Sequence, residues 1–250
     1  MAVQPIPDSA YNKIADPASL LIALHKKFGG NLESCMKCGL SSEMKKVELL
    51  TRALESCGSV LSNQENTTVT QQEICSIFNE IFSDVTCSTY FASCGLDKPA
   101  QMVLRRALEL GIGIAYLWDM PHEFWGWNSH DCDLKFKEML EHIESASYRT
   151  FIHKVNSDFD ASSSPIDATK AKELYRKLSN VVHGKFATFE SNIADRFQFT
   201  ESDFRNHLEI VEAVASLLLT LWCNRFNGLS EKLKEVLPQL EGSIGMDNGR

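Results

Sequence analysis

The chain has few helix breakers, with seven prolines in 250 residues, and almost no stretch in which apolar and polar residues alternate as in a strand. That scarcity argues against a β-sandwich, a barrel or a wound α/β sheet. No glycine-rich loop follows a strand pattern, and no Gly-x-Ser-x-Gly elbow or His-Glu-x-x-His helix occurs, which removes P-loop, α/β-hydrolase and zincin chemistry. The longest apolar stretch, Val214 to Cys223, is broken by Ser216 and Thr220. It falls short of the roughly 20 residues that span a bilayer, so no membrane helix is expected. The N-terminus, MAVQPIPDSAYNK, lacks the basic start and apolar run of a secretory signal. The eight cysteines are scattered through helical patterns and read as free thiols of a reducing cytoplasm. A net charge of -8 excludes broad non-specific binding to nucleic acid and leaves room for a local basic site.

What is present throughout is apolar residues at three- and four-residue spacing, the period of a helix. The expectation is an all-α bundle with helices over 17–28, 40–58, 70–93, 99–119, 131–156, 165–183, 200–226 and 229–239. Residues 1–69 form a helical extension packed on a bundle of residues 70–240, and 241–250 form a disordered tail. Loops are expected at Ser62 to Val69, Pro121 to His130, Asn156 to Ser164 and Phe186 to Phe199. Thr200-Glu201-Ser202-Asp203 and Ser164-Pro165-Ile166-Asp167 each set a hydroxyl three residues before a carboxylate, the second with proline at the first helical position, and both read as helix starts.

Helix 99–119 is apolar on almost every side, which predicts a central, buried helix. Gly111 and Gly113 would let a neighbour approach closely. Arg105 and Glu109 form either an ordinary i,i+4 pair or, with Arg106, the border of a polar site inside the bundle. The C-terminal stripe Phe204, Leu208, Val211, Ala215, Leu218 and Trp222 reads as core, or else as a dimer seam.

Cys35-Met36-Lys37-Cys38 is one half of a zinc-knuckle spacing with no second pair; Cys57 or His25 could complete it only through folding, so no metal is expected. His122, His130 and Cys132, near Trp125 and Trp127, match no helix face and read as a loop packed by its aromatics, the alternative being a metal site or a base-stacking platform. No cofactor is called for.

The stretch Leu174-Tyr175-Arg176-Lys177-Leu178-Ser179-Asn180-Val181-Val182-His183-Gly184 carries the most information. At about 100° per residue, Leu174, Leu178 and Val181 share one stripe. Arg176 and His183 fall about 20° apart on nearly the opposite side, with Asn180 nearby, and lie about 10 Å apart along the axis. From Lys170 to Lys185 there are five basic residues (Lys170, Lys172, Arg176, Lys177, Lys185) against one acid, Glu173. A histidine that moves protons and an arginine that holds a phosphate are what RNA cleavage needs, because RNA supplies its own nucleophile in the 2'-hydroxyl. The alternative is an exposed face whose C-terminal histidine complements the helix dipole.

Arg176, six intervening residues and His183, late in a helix of a helical bundle, resemble the signature of the HEPN superfamily, which includes ribonucleases of toxin–antitoxin, antiviral and RNA-decay systems. The resemblance implies that Arg176 and His183 are the catalytic pair, supported by Asn180 and Tyr175. Arg105 and Glu109 stand with them as candidates from the polar-site reading, and Lys172, Lys177 and Lys185 as candidate RNA contacts. It also implies a homodimer with the two motif helices facing each other, RNA as substrate and a regulatory protein as a further partner. Lys177 stands where many members carry a polar residue after the arginine. That departure keeps a non-catalytic helical interaction subunit as the alternative.

Overall fold

The computed structural model describes residues 17–65, 67–130, 132–183 and 197–240, and among these there are ten α-helices and no strand. In chain order they are α1 (Pro17–Lys37), α2 (Ser41–Ser62), α3 (Val69–Ser93), α4 (Asp97–Asp119), α5 (Pro121–Ser129), α6 (Phe136–Glu144), α7 (Ala146–Val155), α8 (Ala168–Val182), α9 (Glu201–Arg225) and α10 (Leu229–Val236), followed by a 3-10 turn, Pro238–Leu240. The all-α class is as expected; the proposed tail 241–250 lies outside the described residues.

α4 is the central helix that its composition calls for. It packs against α3, α5, α6, α8 and α9 and buries Leu104, Leu108, Ile112, Ile114 and Leu117 completely. Gly111 faces α9 at a distance no side chain would allow, since a Cβ there would lie 2.4 Å from Leu218 Cδ1. Trp222 sits beside it and donates its indole N–H to the Gly111 carbonyl at 2.9 Å. The Phe204–Trp222 stripe of α9 is buried along its whole length, so it is core and not a seam left for a partner. By length and composition α9 could cross a membrane, but most of its apolar stretch is inside the bundle.

Four boundaries differ from the expectation, each for a local reason. α1 runs through Gly29-Gly30 to Lys37 because Asn31 is tied into the bundle, donating to the carbonyls of Cys94 at 2.7 Å and Phe197 at 2.8 Å. The expected loop at Pro121 to His130 is instead α5: proline opens it, needing no N–H at that position, and Phe124 anchors it in the core. The expected helix 131–156 is two helices, because Ser145 turns extended and caps α7 by accepting from Tyr148 N. α8 starts at Ala168 with Asp167 as its cap, accepting from Lys170 N at 2.9 Å. Ser164 and Pro165 do not start it: the Ser164 hydroxyl donates to Ile166 O, and the Pro165 carbonyl is held by Asn224 of α9. Thr200 caps α9 as read from sequence, accepting from Asp203 N.

Where α4, α7 and α9 meet, a buried ion pair replaces apolar packing. Arg225 donates its Nε to Asp119 Oδ2 at 2.7 Å and its Nη2 to Oδ1, and Tyr148 donates its hydroxyl to the same carboxylate at 2.8 Å. The guanidinium lies 5.2 Å from the rings of Phe151 and Phe226. Both charged side chains are 9% exposed, so removing one leaves the other buried and unpaired, at a cost of about 3–5 kcal/mol. Asp119→Ala is therefore expected to lose roughly that much stability in urea unfolding, while Asp119→Leu with Arg225→Met recovers most of it. A single variant as stable as the wild type would show that the pair is not holding these helix ends.

Candidate functional site

α8 buries Ala171, Leu174 and Leu178 against α4 and α9, and this fixes which residues face outward. Arg176 and His183 are both exposed, about 10 Å apart along the axis. Neither side chain has a hydrogen bond or ion pair among the described residues. His183 ends the helix, its backbone N–H reaching Ser179 O at 3.0 Å. Asn180 is half-buried, one turn from Arg176. Thus the arginine and histidine share a free face, as the periodicity requires.

The other candidates divide. Lys172 pairs with Glu144 at 3.0 Å, and Lys177 donates to Asn206 of α9 at 3.2 Å. Both contacts are exposed, and surface pairs of this kind are weak enough to exchange for a ligand. Lys185 lies outside the described residues. Tyr175 is turned away from Arg176: its ring stacks on Phe136, with centroids 3.8 Å apart, and its oxygen accepts from Arg105 Nη2 at 2.8 Å.

The same Arg105 nitrogen donates to Glu109 at 2.8 Å, so the i,i+4 pair and the polar site are one object. Arg105, Glu109, Lys172 and Tyr175 border an open cleft of about 980 Å³ whose walls include Trp127, Phe136 and Leu140. Trp127 and Phe136 were not singled out as site residues; proline before the aromatic run was the signal for α5, which places Trp127. Arg105 Nε is buried with no partner. Arg106 also borders the cleft and pairs with Glu80 and Asp84. Burial pushes the Asp84 carboxyl up, with Arg106 opposing it.

Elsewhere the cysteines of the half-knuckle region lie in or against the core. Cys35 is buried, and burial with Cys38 beside it pushes its pKa up to about 12; Cys57 is fully buried. Among the described residues no three His, Cys, Asp or Glu side chains gather as a metal-ligand group. His207 is a core histidine: Ser88 Oγ donates to Ala100 O at 2.8 Å and lies 3.1 Å from His207 Nε2. The hydroxyl has one proton, so both contacts stand together only when Nε2–H donates to Ser88. This serine is completely buried, out of reach of any substrate.

Burial lowers the His207 pKa from 6.5 to about 4. The unfolded chain therefore binds the extra proton between those values, and stability rises with pH through that window and is lost as pH falls through it, by on the order of 3 kcal/mol. His207→Gln is expected to flatten that part of a stability–pH profile measured by chemical unfolding; parallel profiles for the two proteins would refute the assignment. Comparison of the chain with protein-family models, curated proteins and solved structures finds no match in any of the three, so the likeness to the HEPN superfamily rests on the motif residues alone.

Proposed function

We propose that the protein is a metal-independent endoribonuclease acting as a homodimer, with Arg176 and His183 as its catalytic pair. The observation that carries this reading is that the two side chains are exposed, without a partner among the described residues, and on one face of α8, opposite the stripe that packs the helix down. In the reaction the 2'-oxygen of RNA bonds to the adjacent phosphorus and gives its proton to a base. The bond from phosphorus to the 5'-oxygen breaks, and that oxygen receives a proton, leaving a cyclic phosphate. His183 serves as the proton-transfer group and Arg176 holds the charge that builds on the phosphoryl oxygens. No metal is required, because the nucleophile comes from the substrate and the positive charge from arginine. An effector of a defence or toxin system in the cytoplasm, restrained by a protein partner, is the setting that suits such an activity.

One chain separates the two groups by about two turns, too far to surround one phosphate comfortably. A two-fold contact between α8 helices brings the arginine of one protomer toward the histidine of the other. A second reading, a non-catalytic interaction subunit, is favoured by a specific feature: among the described residues of one chain none orients Arg176 or His183, since Tyr175 and Lys177 are engaged by Arg105 and Asn206.

Purified full-length protein is expected to cleave single-stranded RNA with chelator present. His183→Ala should abolish cleavage while shifting stability by no more than about 0.5 kcal/mol, as for an exposed residue. Wild-type protein that leaves RNA intact, alone and together with whatever co-purifies from its host, would favour the second reading. Mixed dimers of one Arg176→Ala chain and one His183→Ala chain should regain activity that neither homodimer has, because a shared site keeps one intact pair across the interface. Verified mixed dimers as inactive as their parents, or a strictly monomeric wild type, would reject the shared site.

A further inference from the structure

The cleft beside α8 carries chemistry that the Arg176–His183 pair does not use. Its cations already face carboxylates, Arg105 with Glu109, Arg106 with Glu80 and Asp84, Lys135 with Glu138, Lys137 with Glu141 and Lys172 with Glu144, so the cleft carries no excess positive charge that would select an anion. What is unused is a set of neutral-ligand contacts at its inner wall. Glu109 engages Arg105 through Oε1, leaving Oε2 as a free acceptor among the described residues. Tyr175 accepts from Arg105 through its oxygen, leaving its own O–H with no acceptor among them. The Arg105 Nε–H behind them is buried without a partner among the described residues and belongs to the scaffold that holds the two groups, not to the surface a ligand meets. These three groups are held by one another and are only partly exposed, the arginine and glutamate side chains at 21% and 23%. Apolar walls of Leu110, Leu134, Leu140 and Trp127 surround them. A ligand that complements this wall is flat, uncharged and bordered by both donors and acceptors.

We infer that the cleft holds one unpaired base of the RNA, its edge read by Glu109 and Tyr175 with Arg105 fixing both. Single-stranded RNA is recognised in this way, by bases splayed against aromatic and apolar walls and bonded along their edges. The location suits it: Tyr175 and Lys172 border the cleft, and on α8 Lys172 lies about 60° from Tyr175 toward Arg176, itself about 100° away. A strand leaving the cleft passes Lys172, which its exposed pair with Glu144 can release, and reaches the Arg176–His183 face. The identity of the ligand as RNA rests on the ribonuclease reading; the neutral, edge-reading character of the cleft does not.

The test is binding by the full chain of 2'-O-methyl oligo-A, oligo-C and oligo-U, which lack the attacking hydroxyl and so cannot be cleaved. The wild type should prefer one of them by roughly tenfold or more, the discrimination expected of a paired edge contact. Glu109→Gln, which turns an acceptor edge into a mixed one, should shrink or reverse that preference, and Tyr175→Phe should weaken binding of the favoured oligomer. Leu134→Trp, which fills the cleft from a half-buried position outside the helices, should remove the preference without depending on the Arg105 network. Equal binding of the three oligomers, no binding at all, or a preference unmoved by the variants that remain folded by circular dichroism would overturn the inference. Free nucleosides binding as tightly as the oligomers would overturn the assignment to RNA. Cleavage of unmodified RNA is scored separately with His183→Ala: cleavage without base preference rejects the cleft and keeps the nuclease, while base preference without cleavage does the reverse.

Discussion

The position of every candidate residue depends on how closely α9 approaches α4. At Gly111 the missing side chain lets Leu218 occupy the space where a Cβ would be, and the Trp222 indole closes the contact by bonding the Gly111 carbonyl. Phe78 of α3 packs edge-on against that indole, with centroids 4.7 Å apart, so three helices are locked at one point. With Gly111 turned to α9, Glu109 and Arg105 fall about 200° and 240° round the same helix, on the side that faces α8. There they meet Tyr175. The outward direction of Arg176 and His183 is the far end of this chain of contacts, set by the packing of α8 against α4 and α9.

The interior is mostly apolar, and two of its polar clusters tie helices together. Asp119, Arg225 and Tyr148 join the ends of α4 and α9 to α7; Ser88 and His207 join α3 to α9 around the Ala100 carbonyl. Directional bonds of this kind accept one arrangement of helices, where apolar surfaces alone would accept several. They also place protonation-sensitive groups in the core: burial drives the Tyr148 phenol up, with Asp119 adding to it, and drives His207 down. Such groups are held in their neutral forms, which suits structure and not proton transfer.

The outer face of α8 is the opposite case. Its arginine and histidine are exposed and have no partner among the described residues, and their neighbours are spent on the protein itself: Lys177 on α9, Lys172 on α6, Tyr175 on α4. An exposed pair with no orienting contacts can work only when something outside the chain supplies the order. The proposed dimer and the proposed RNA strand in the adjoining cleft would be two such sources, acting on the same helix from adjacent sides.

Much of the architecture was legible from period and caps alone, because apolar spacing reports which face a helix buries whatever it is buried against. Hence the all-α class, the central place of α4, the α9 stripe as core, the Thr200 cap and the free Arg176–His183 face could all be read from the residues. Boundaries decided by distant partners could not. Asn31 draws α1 past two glycines only because Cys94 and Phe197 are waiting, and Pro165 stays out of α8 because Asn224 holds its carbonyl. The division of the motif residues was likewise hidden: Tyr175 and Arg176 are adjacent in sequence, yet one faces a cleft made with α4 and α6 and the other faces solvent. Local sequence sets the angle between two side chains on a helix, whereas only the packing of the helices decides what each angle points at.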